Sequence, residues 1–579
     1  MALNSWTWID EPADAGGLAG ALLLPGRVRL TAAGLGLIAF ILYAPLVGWG
    51  LPHATAPDRI KTFATDEILP LEGLAEMRST FVSTAPDRQI GYPWWHYFVV
   101  SAAQLPYVAG LMLSGDLAQP SPVYPFGLRD PVRALKVLTV IGRMVSVLMG
   151  AGIVLASFFF ARALWDHATG MVAGVLTMLS YPMFYYSRTA NMDVPAFFWS
   201  AIGLAILATM LSSGVTTRRA VWLGLFTALA GATKDQAVAL FIPLCLALLL
   251  PRFNHPPGTR YQVRPLMLGL GVGLIAYVAA TGMLVDPHRH LMHLHAQLFD
   301  QGRVTGASAY FPSGPRTWEN TAQLAIGFGA GLGAMMSWPV LLMSAAGCAL
   351  AARRARWHLL WLLPFVTIFV LFVRIPGIIV VRYFLPLTLF VDAFAALALT
   401  TLWRSRGRAA FVPLLVVLVS SRVAMGLDLS YAQLRDTRYA AADWLRAHYR
   451  AGDRVEYFGV TETLPPLEGN VSSRRIMGRE DWVGERGHGQ AVLEYLAREG
   501  PKYVIVIPDW TSRAGMEHSG DCPPEVYAAL LDGTAGYSLT AYFAPPSLLP
   551  DALRRPPLDN PSVAPPVRIF LRKEAGDGR

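Results

Sequence analysis

Along most of this 579-residue chain, apolar stretches of about 20 residues alternate with short polar segments, and about 20 residues is what a helix needs to cross the hydrocarbon core of a bilayer. The stretches lie near 30–51, 134–160, 168–187, 192–211, 220–233, 236–250, 266–285, 322–351, 357–373, 377–402 and 409–427. The one at 220–233 is short and must borrow flanking residues. Two kinds of polar segment take turns between them. One kind is basic, with Arg162; Arg218 and Arg219; Arg252, Arg260 and Arg264; Arg353, Arg354 and Arg356; and Arg404, Arg406 and Arg408. The other is long or carries acids and histidines. Arginine-rich loops stay cytoplasmic, so the alternation predicts a polytopic α-helical membrane protein of about 11 transmembrane helices, N-terminus inside.

A further apolar stretch, Tyr92 to Leu113, would reverse the sidedness of every basic loop if it crossed, so it reads as an interfacial helix. Its start, Gly91-Tyr92-Pro93-Trp94-Trp95-His96-Tyr97-Phe98, is dense in aromatics that settle at headgroup level; an ordinary span with an aromatic belt at one end is the alternative. Asp10, Glu11 and Asp14 precede Arg27 and Arg29, and the first stretch is longer than a signal-peptide core. It reads as an uncleaved span even though Ala54-Thr55-Ala56 looks like a cleavage site.

Composition agrees, because 54% hydrophobic and 15% charged residues do not suit a soluble protein of this length. The net charge of +9 comes largely from the arginines of the basic loops and fits anionic headgroups, not nucleic acid. Cys245, Cys348 and Cys522 are too few and too scattered for a disulfide framework or a CxxC metal site.

From about Leu429 the pattern changes. Tyr431–Arg450 has helical spacing, Gly452-Asp453 leads into an extended Val455-Glu456-Tyr457-Phe458, and a helix near Gln490–Glu499 precedes the strand Tyr503-Val504-Ile505-Val506-Ile507. A short helix follows Pro524, with strands near 537–543 and 567–572. The expected organisation is a membrane domain over 1–428, with outer loops 52–133 and 286–321, and an extracytoplasmic α/β domain over 429–579.

Candidate chemistry gathers on the segments predicted outside. Thr65-Asp66-Glu67 follows the first span, and Asn191-Met192-Asp193-Val194-Pro195 joins the third to the fourth. A carboxylate at the bilayer boundary is costly to desolvate and calls for a partner or a task, although Thr65 or Asp66 also fits as a helix cap and Asp193 as an N-cap before Pro195. Lys234 ends the fifth span in Gly231-Ala232-Thr233-Lys234-Asp235, Arg374 and Arg382 flank Ile375-Pro376-Gly377, and Arg188 is near Asp193 in sequence. Such cations can hold a lipid phosphate; snorkelling, and a Lys234–Asp235 pair, are the alternatives. His288, His290, His293 and His295 have helical spacing that makes a metal site thinkable, with no Cys or obvious carboxylate nearby to complete it, so no metal or cofactor is expected.

The acidic pair after the first span, the Tyr-Pro segment, Asp193, Thr233-Lys234 and Arg382-Tyr383-Phe384-Leu385-Pro386 together resemble the GT-C glycosyltransferases, among them the protein O-mannosyltransferases and lipid A aminoarabinose transferases. The resemblance runs through about residue 400, and the family's Lys-Pro-Pro or His-Pro-Pro element is here Gly91-Tyr92-Pro93-Trp94. It implies a bacterial inner-membrane enzyme that moves a sugar from a polyprenyl-phosphate donor to a hydroxyl acceptor on protein, lipid or glycan at the outer face. Asp66 would act as base with inversion, Asp193 would position Asp66 or the acceptor, and Glu67 would touch the sugar. Lys234, Arg382, Arg374 and Arg188 would hold the donor phosphate, and Tyr92, His96 and Tyr383 would line the substrate. A ligase or polymerase using a lipid-diphosphate glycan, or a transporter, are the competing readings. A transporter would place its ionisable groups near the bilayer midplane.

Overall fold

The computed structural model describes residues 26–53, 62–82, 92–121, 126–248, 263–295, 317–375, 377, 379–467, 471–476, 488–509, 512, 516–550 and 563–573. The expectations for Asp10, Glu11 and Asp14, for Ala54-Thr55-Ala56, for Gly91, for Arg252 and Arg260, for Pro376 and for most of loop 286–321 fall outside them.

Among the described residues, eight helices are long and apolar enough to cross a membrane, or nine if a bent pair counts as one span. The chain is a multi-pass membrane protein. The count is below eleven because several expected stretches are broken. Residues 168–187 fold as His167–Met178 and Tyr181–Tyr186, with Pro182 in the first turn of the second piece. Residues 236–250 fold as a 3-10 helix, Asp235–Leu240, and a short α-helix, Ile242–Leu248. The expected span 322–351 is two helices, Trp318–Met336 and Trp338–Arg354, that meet at 108°. Ser337 sits at the corner with φ +63°, a conformation that interrupts any helix. Trp95–Ser114 has a span's length and composition, so its interfacial reading stands on the arginine pattern and the aromatics at its start.

Two charges inside the helical region neutralise each other. Arg422 forks onto Asp392 at 2.6 and 3.1 Å, Thr177 donates to the same carboxylate at 3.0 Å, and all three residues are buried. The pair staples Thr388–Arg406 to Arg408–Leu434, and in an apolar interior either partner alone would be an uncompensated charge.

The C-terminal domain has a five-stranded sheet in the order β2-β1-β3-β5-β4, formed by β1 (Arg454–Phe458), β2 (Ser472–Arg475), β3 (Tyr503–Val506), β4 (Tyr537–Phe543) and β5 (Val567–Arg572). β1 pairs in parallel with β2 and β3, whereas β5 runs antiparallel to β3 and β4. One face packs on Ala441 and Leu445 of the helix Thr437–His448, and the other on Val492, Leu496, Val526 and Leu530 of two later helices. The expected helix 431–450 is split, because Tyr431–Leu434 continues the last membrane helix and Asp436 caps a new one through the Arg438 amide.

This domain is fixed to the end of the bundle that carries the first loop. Asp436, buried, accepts from Trp49 Nε1 at 3.0 Å and from the Ala564 amide at 2.9 Å, and is ion-paired with Arg438 at 2.7 Å. The Arg438 guanidinium lies 3.6 Å over the Phe63 ring and donates to the Glu462 carbonyl at 2.8 Å. The Phe63 amide donates to the Gly50 carbonyl at 3.0 Å. Gly50 has φ +58°, and a Cβ there would lie 2.3 Å from Phe63, so only glycine permits this closure.

Candidate active site

Asp66 and Glu67 are adjacent and part company because Asp66 adopts φ +57°, a left-handed conformation that Asp tolerates better than most residues. Glu67 turns inward. Its carboxylate takes a bidentate fork from Arg143 at 2.7 and 2.8 Å, the Ala190 amide at 2.6 Å and the Thr62 hydroxyl, with the Glu67 side chain 1% exposed. Arg143 in turn donates to the carbonyls of Val47 and Trp49 at 2.7 and 2.5 Å. Glu67 is therefore an anchor of the loop and has no carboxylate face left for the sugar contact expected of it.

Asp66 turns the other way and pairs with Arg382, leaving its side chain 45% exposed. Arg382 lines an open cleft together with Asp193, Lys234, Gln236 and Tyr383, over an apolar floor that includes Phe197, Leu240, Ile368, Phe372 and Leu385. Asp193 opens the helix Asp193–Ser213, where a carboxylate is favoured by the helix dipole, and instead of capping it accepts from Lys234 Nζ at 2.7 Å. The ammonium also lies 5.1 Å from the Tyr383 ring centroid. The Asp193–Lys234 pair thus lines the cleft, and Asp66 is joined to it through Arg382. Asp235, expected as an alternative partner of Lys234, bonds His293 instead.

The Tyr-Pro segment closes the arrangement. The Trp95 amide donates to the Ala232 carbonyl at 3.2 Å, which ties the segment to the turn that carries Lys234. Tyr92 packs with Ile68, Trp94, Tyr97 and Met192. Burial raises its phenol pKa, and Lys234 and Arg382 pull it the other way, so the hydroxyl is within electrostatic reach of both cations.

Other expected members lie elsewhere. His96 is fully buried, neither of its ring nitrogens has a hydrogen-bond partner among the described residues, and it does not line the cleft. Arg188 is buried and donates to Ser430 Oγ, Gln433 Oε1 and the Leu42 carbonyl at 2.9, 3.1 and 3.0 Å, tying the first membrane helix to the last. A guanidinium spent on three protein acceptors is structural, not a phosphate ligand. Arg374 ends a π-helical turn, Phe369–Arg374, and is not among the cleft residues. Among the described residues no three His, Cys, Asp or Glu side chains form a group that could hold a metal ion. Sequence reasoning passed over Arg143, although an arginine inside an apolar run is itself a signal. It also passed over Gln236 and Phe372, which carry no such mark.

No family model and no curated protein matches the chain. Among solved structures it is similar to ArnT from Cupriavidus metallidurans bound to undecaprenyl phosphate, at 15% identity and a TM-score of 0.43, over 94% of this chain and 98% of that one. It is similar to the Archaeoglobus fulgidus oligosaccharyltransferase tethered with an acceptor peptide, at 12% identity and a TM-score of 0.40, over 83% and 69%. A third likeness is to the mycobacterial arabinofuranosyltransferase AftD, at 16% identity and a TM-score of 0.37, over 95% and 42%. These are structures of GT-C glycosyltransferases, the family the motifs resemble, at similarities too low to carry a function over to this chain.

Proposed function

We propose that the cleft transfers a sugar from a polyprenyl-phosphate donor to a hydroxyl acceptor. The observation that carries this reading is the meeting of Asp66–Arg382 and Asp193–Lys234 over an apolar floor. An apolar floor suits a lipid chain, a pair of cations suits one phosphate, and a half-exposed carboxylate suits a proton acceptor.

The reaction follows from these groups. The donor phosphate enters between Lys234 and Arg382, and Arg382 exchanges part of its bond to Asp66 for the phosphate. A carboxylate oxygen of Asp66 is then open to the acceptor hydroxyl. The acceptor oxygen bonds the anomeric carbon as Asp66 takes its proton and the bond from that carbon to the phosphate oxygen breaks, so the centre inverts. Negative charge grows on the departing lipid phosphate, where Lys234 and Arg382 stabilise it; such preorganised charge is often the largest contribution to catalysis. Asp193 holds the ammonium in place.

With the basic loops cytoplasmic, the cleft and the C-terminal domain lie outside the cell membrane. Single cysteines at positions 66, 193 and 234 and beyond 430 should then react with an impermeant maleimide in intact cells, whereas those at 162, 218, 260, 354 and 406 should not. Labelling of position 162 from outside would refute this orientation.

Chelation tests the donor class. A lipid diphosphate commonly recruits a divalent ion, and a monophosphate held by protein cations does not need one. Transfer by purified protein should survive excess EDTA, while Lys234→Ala and Arg382→Ala should each lower kcat/KM for the lipid donor roughly 10- to 100-fold. Loss of activity in EDTA with recovery on adding Mg²⁺ or Mn²⁺ would sink the monophosphate reading and the base role of Asp66 together.

A further inference from the structure

Lys234 and Asp235 are chain neighbours that face opposite ways. Lys234 has an extended backbone (φ −153°, ψ 117°), and successive side chains of an extended segment project to opposite sides. The ammonium turns to the cleft and the Asp235 carboxylate turns to the helix Pro287–His295. There one carboxylate oxygen meets His293 Nε2 at 2.7 Å, and the other lies 3.4 Å from the Tyr277 hydroxyl. That hydroxyl also lies 3.4 Å from Nε2 of His290, a fully buried residue whose ring centroid is 6.3 Å from that of His293. His293 itself is 4% exposed. At the start of that helix Arg289 pairs with Asp286, the residue just before the helix, at 3.0 Å. Burial lowers the pKa of His290, with Asp235 acting in the opposite sense and His293 in the same sense; the imidazole bonded to the carboxylate is that of His293.

We propose that Asp235–His293 is a protonation-dependent clamp that fixes the Lys234 turn and so sets how tightly the cleft holds a lipid phosphate. The proposal rests on the donor reading above. Imidazole is the side chain that changes charge between about pH 5 and 8. Protonated, His293 gives Asp235 a charge-assisted bond roughly twice as strong as a neutral one. Neutral, it holds Asp235 less firmly, and the carboxylate then competes with the phosphate for its chain neighbour Lys234. Asp235 and His293 do not line the cleft, so they act as positioning residues.

The test is the dissociation constant of the full-length protein for undecaprenyl phosphate between about pH 5.5 and 8.5, for the wild type, His293→Gln and Asp235→Asn. The phosphate's own ionisation near pH 6 affects all three alike, so the quantity read is the ratio of variant to wild type. His293→Gln should bind about 5- to 10-fold more weakly near pH 5.5, with the ratio falling toward one near pH 8.5. Asp235→Asn, which removes the carboxylate that competes for Lys234, should be spared the wild type's weakening as the pH rises, its ratio dropping below one at about pH 8.5, so the result does not hang on one variant. Tight binding by the wild type with a ratio that does not change with pH would overturn the clamp alone. Absence of binding at every pH would overturn the donor reading, and the clamp with it.

Discussion

Asp66→Asn lowers transfer by about 100-fold or more and leaves the protein folded. Asparagine has the same shape, tolerates φ +57° as aspartate does and still accepts from Arg382, so what disappears is the ability to take a proton. The signature is in the kinetic split. Arg382 is relieved of a competing charge, so the donor KM should stay level or fall while kcat drops. Measured with a defined lipid-linked sugar on protein whose size-exclusion profile matches the wild type, near-normal kcat would reduce Asp66 to a tether for Arg382.

Glu67→Gln should be the more damaging change for the fold, destabilising it by about 3–5 kcal/mol. From sequence alone Glu67 reads as a residue that would touch the sugar. The buried fork reverses that expectation, because neutralising Glu67 leaves the fully buried Arg143 guanidinium without its counter-charge. Two apolar residues of similar volume can replace a buried ion pair at little cost, so Glu67→Leu with Arg143→Met should recover part of the loss. Thermal unfolding in detergent would decide it. A midpoint for Glu67→Gln equal to the wild type would show that the fork contributes nothing to stability.

What is legible in the sequence follows from what the bilayer enforces. Apolar length and arginine placement are physical requirements of a membrane helix, so the bundle and the end that carries Asp66, Asp193, Lys234 and Arg382 are visible without coordinates. Pairings are not. Nothing local tells that Lys234 takes Asp193, 41 positions away, and leaves Asp235 to a histidine; the extended backbone at Lys234 decides it. Arg188 looks like a cleft cation because it is near Asp193 in sequence, but its side chain turns into the bundle. In the C-terminal domain four strands announce themselves by apolar runs, whereas β2 is an edge strand reading Ser-Ser-Arg-Arg, a composition that keeps edges from pairing further and hides them from pattern reading.

The hydrogen bond from Trp49 to Asp436 joins positions 387 apart. A ribosome releases the loop that carries Asp66 long before it makes the residues that brace it, and chains fold from the N-terminus as they emerge. The loop that carries Asp66 is thus the last part of the membrane domain to be braced, although it is among the first to be synthesised. Prematurely terminated chains would insert into the bilayer without a braced Asp66, so the activity proposed for the cleft depends on completion of the C-terminal domain.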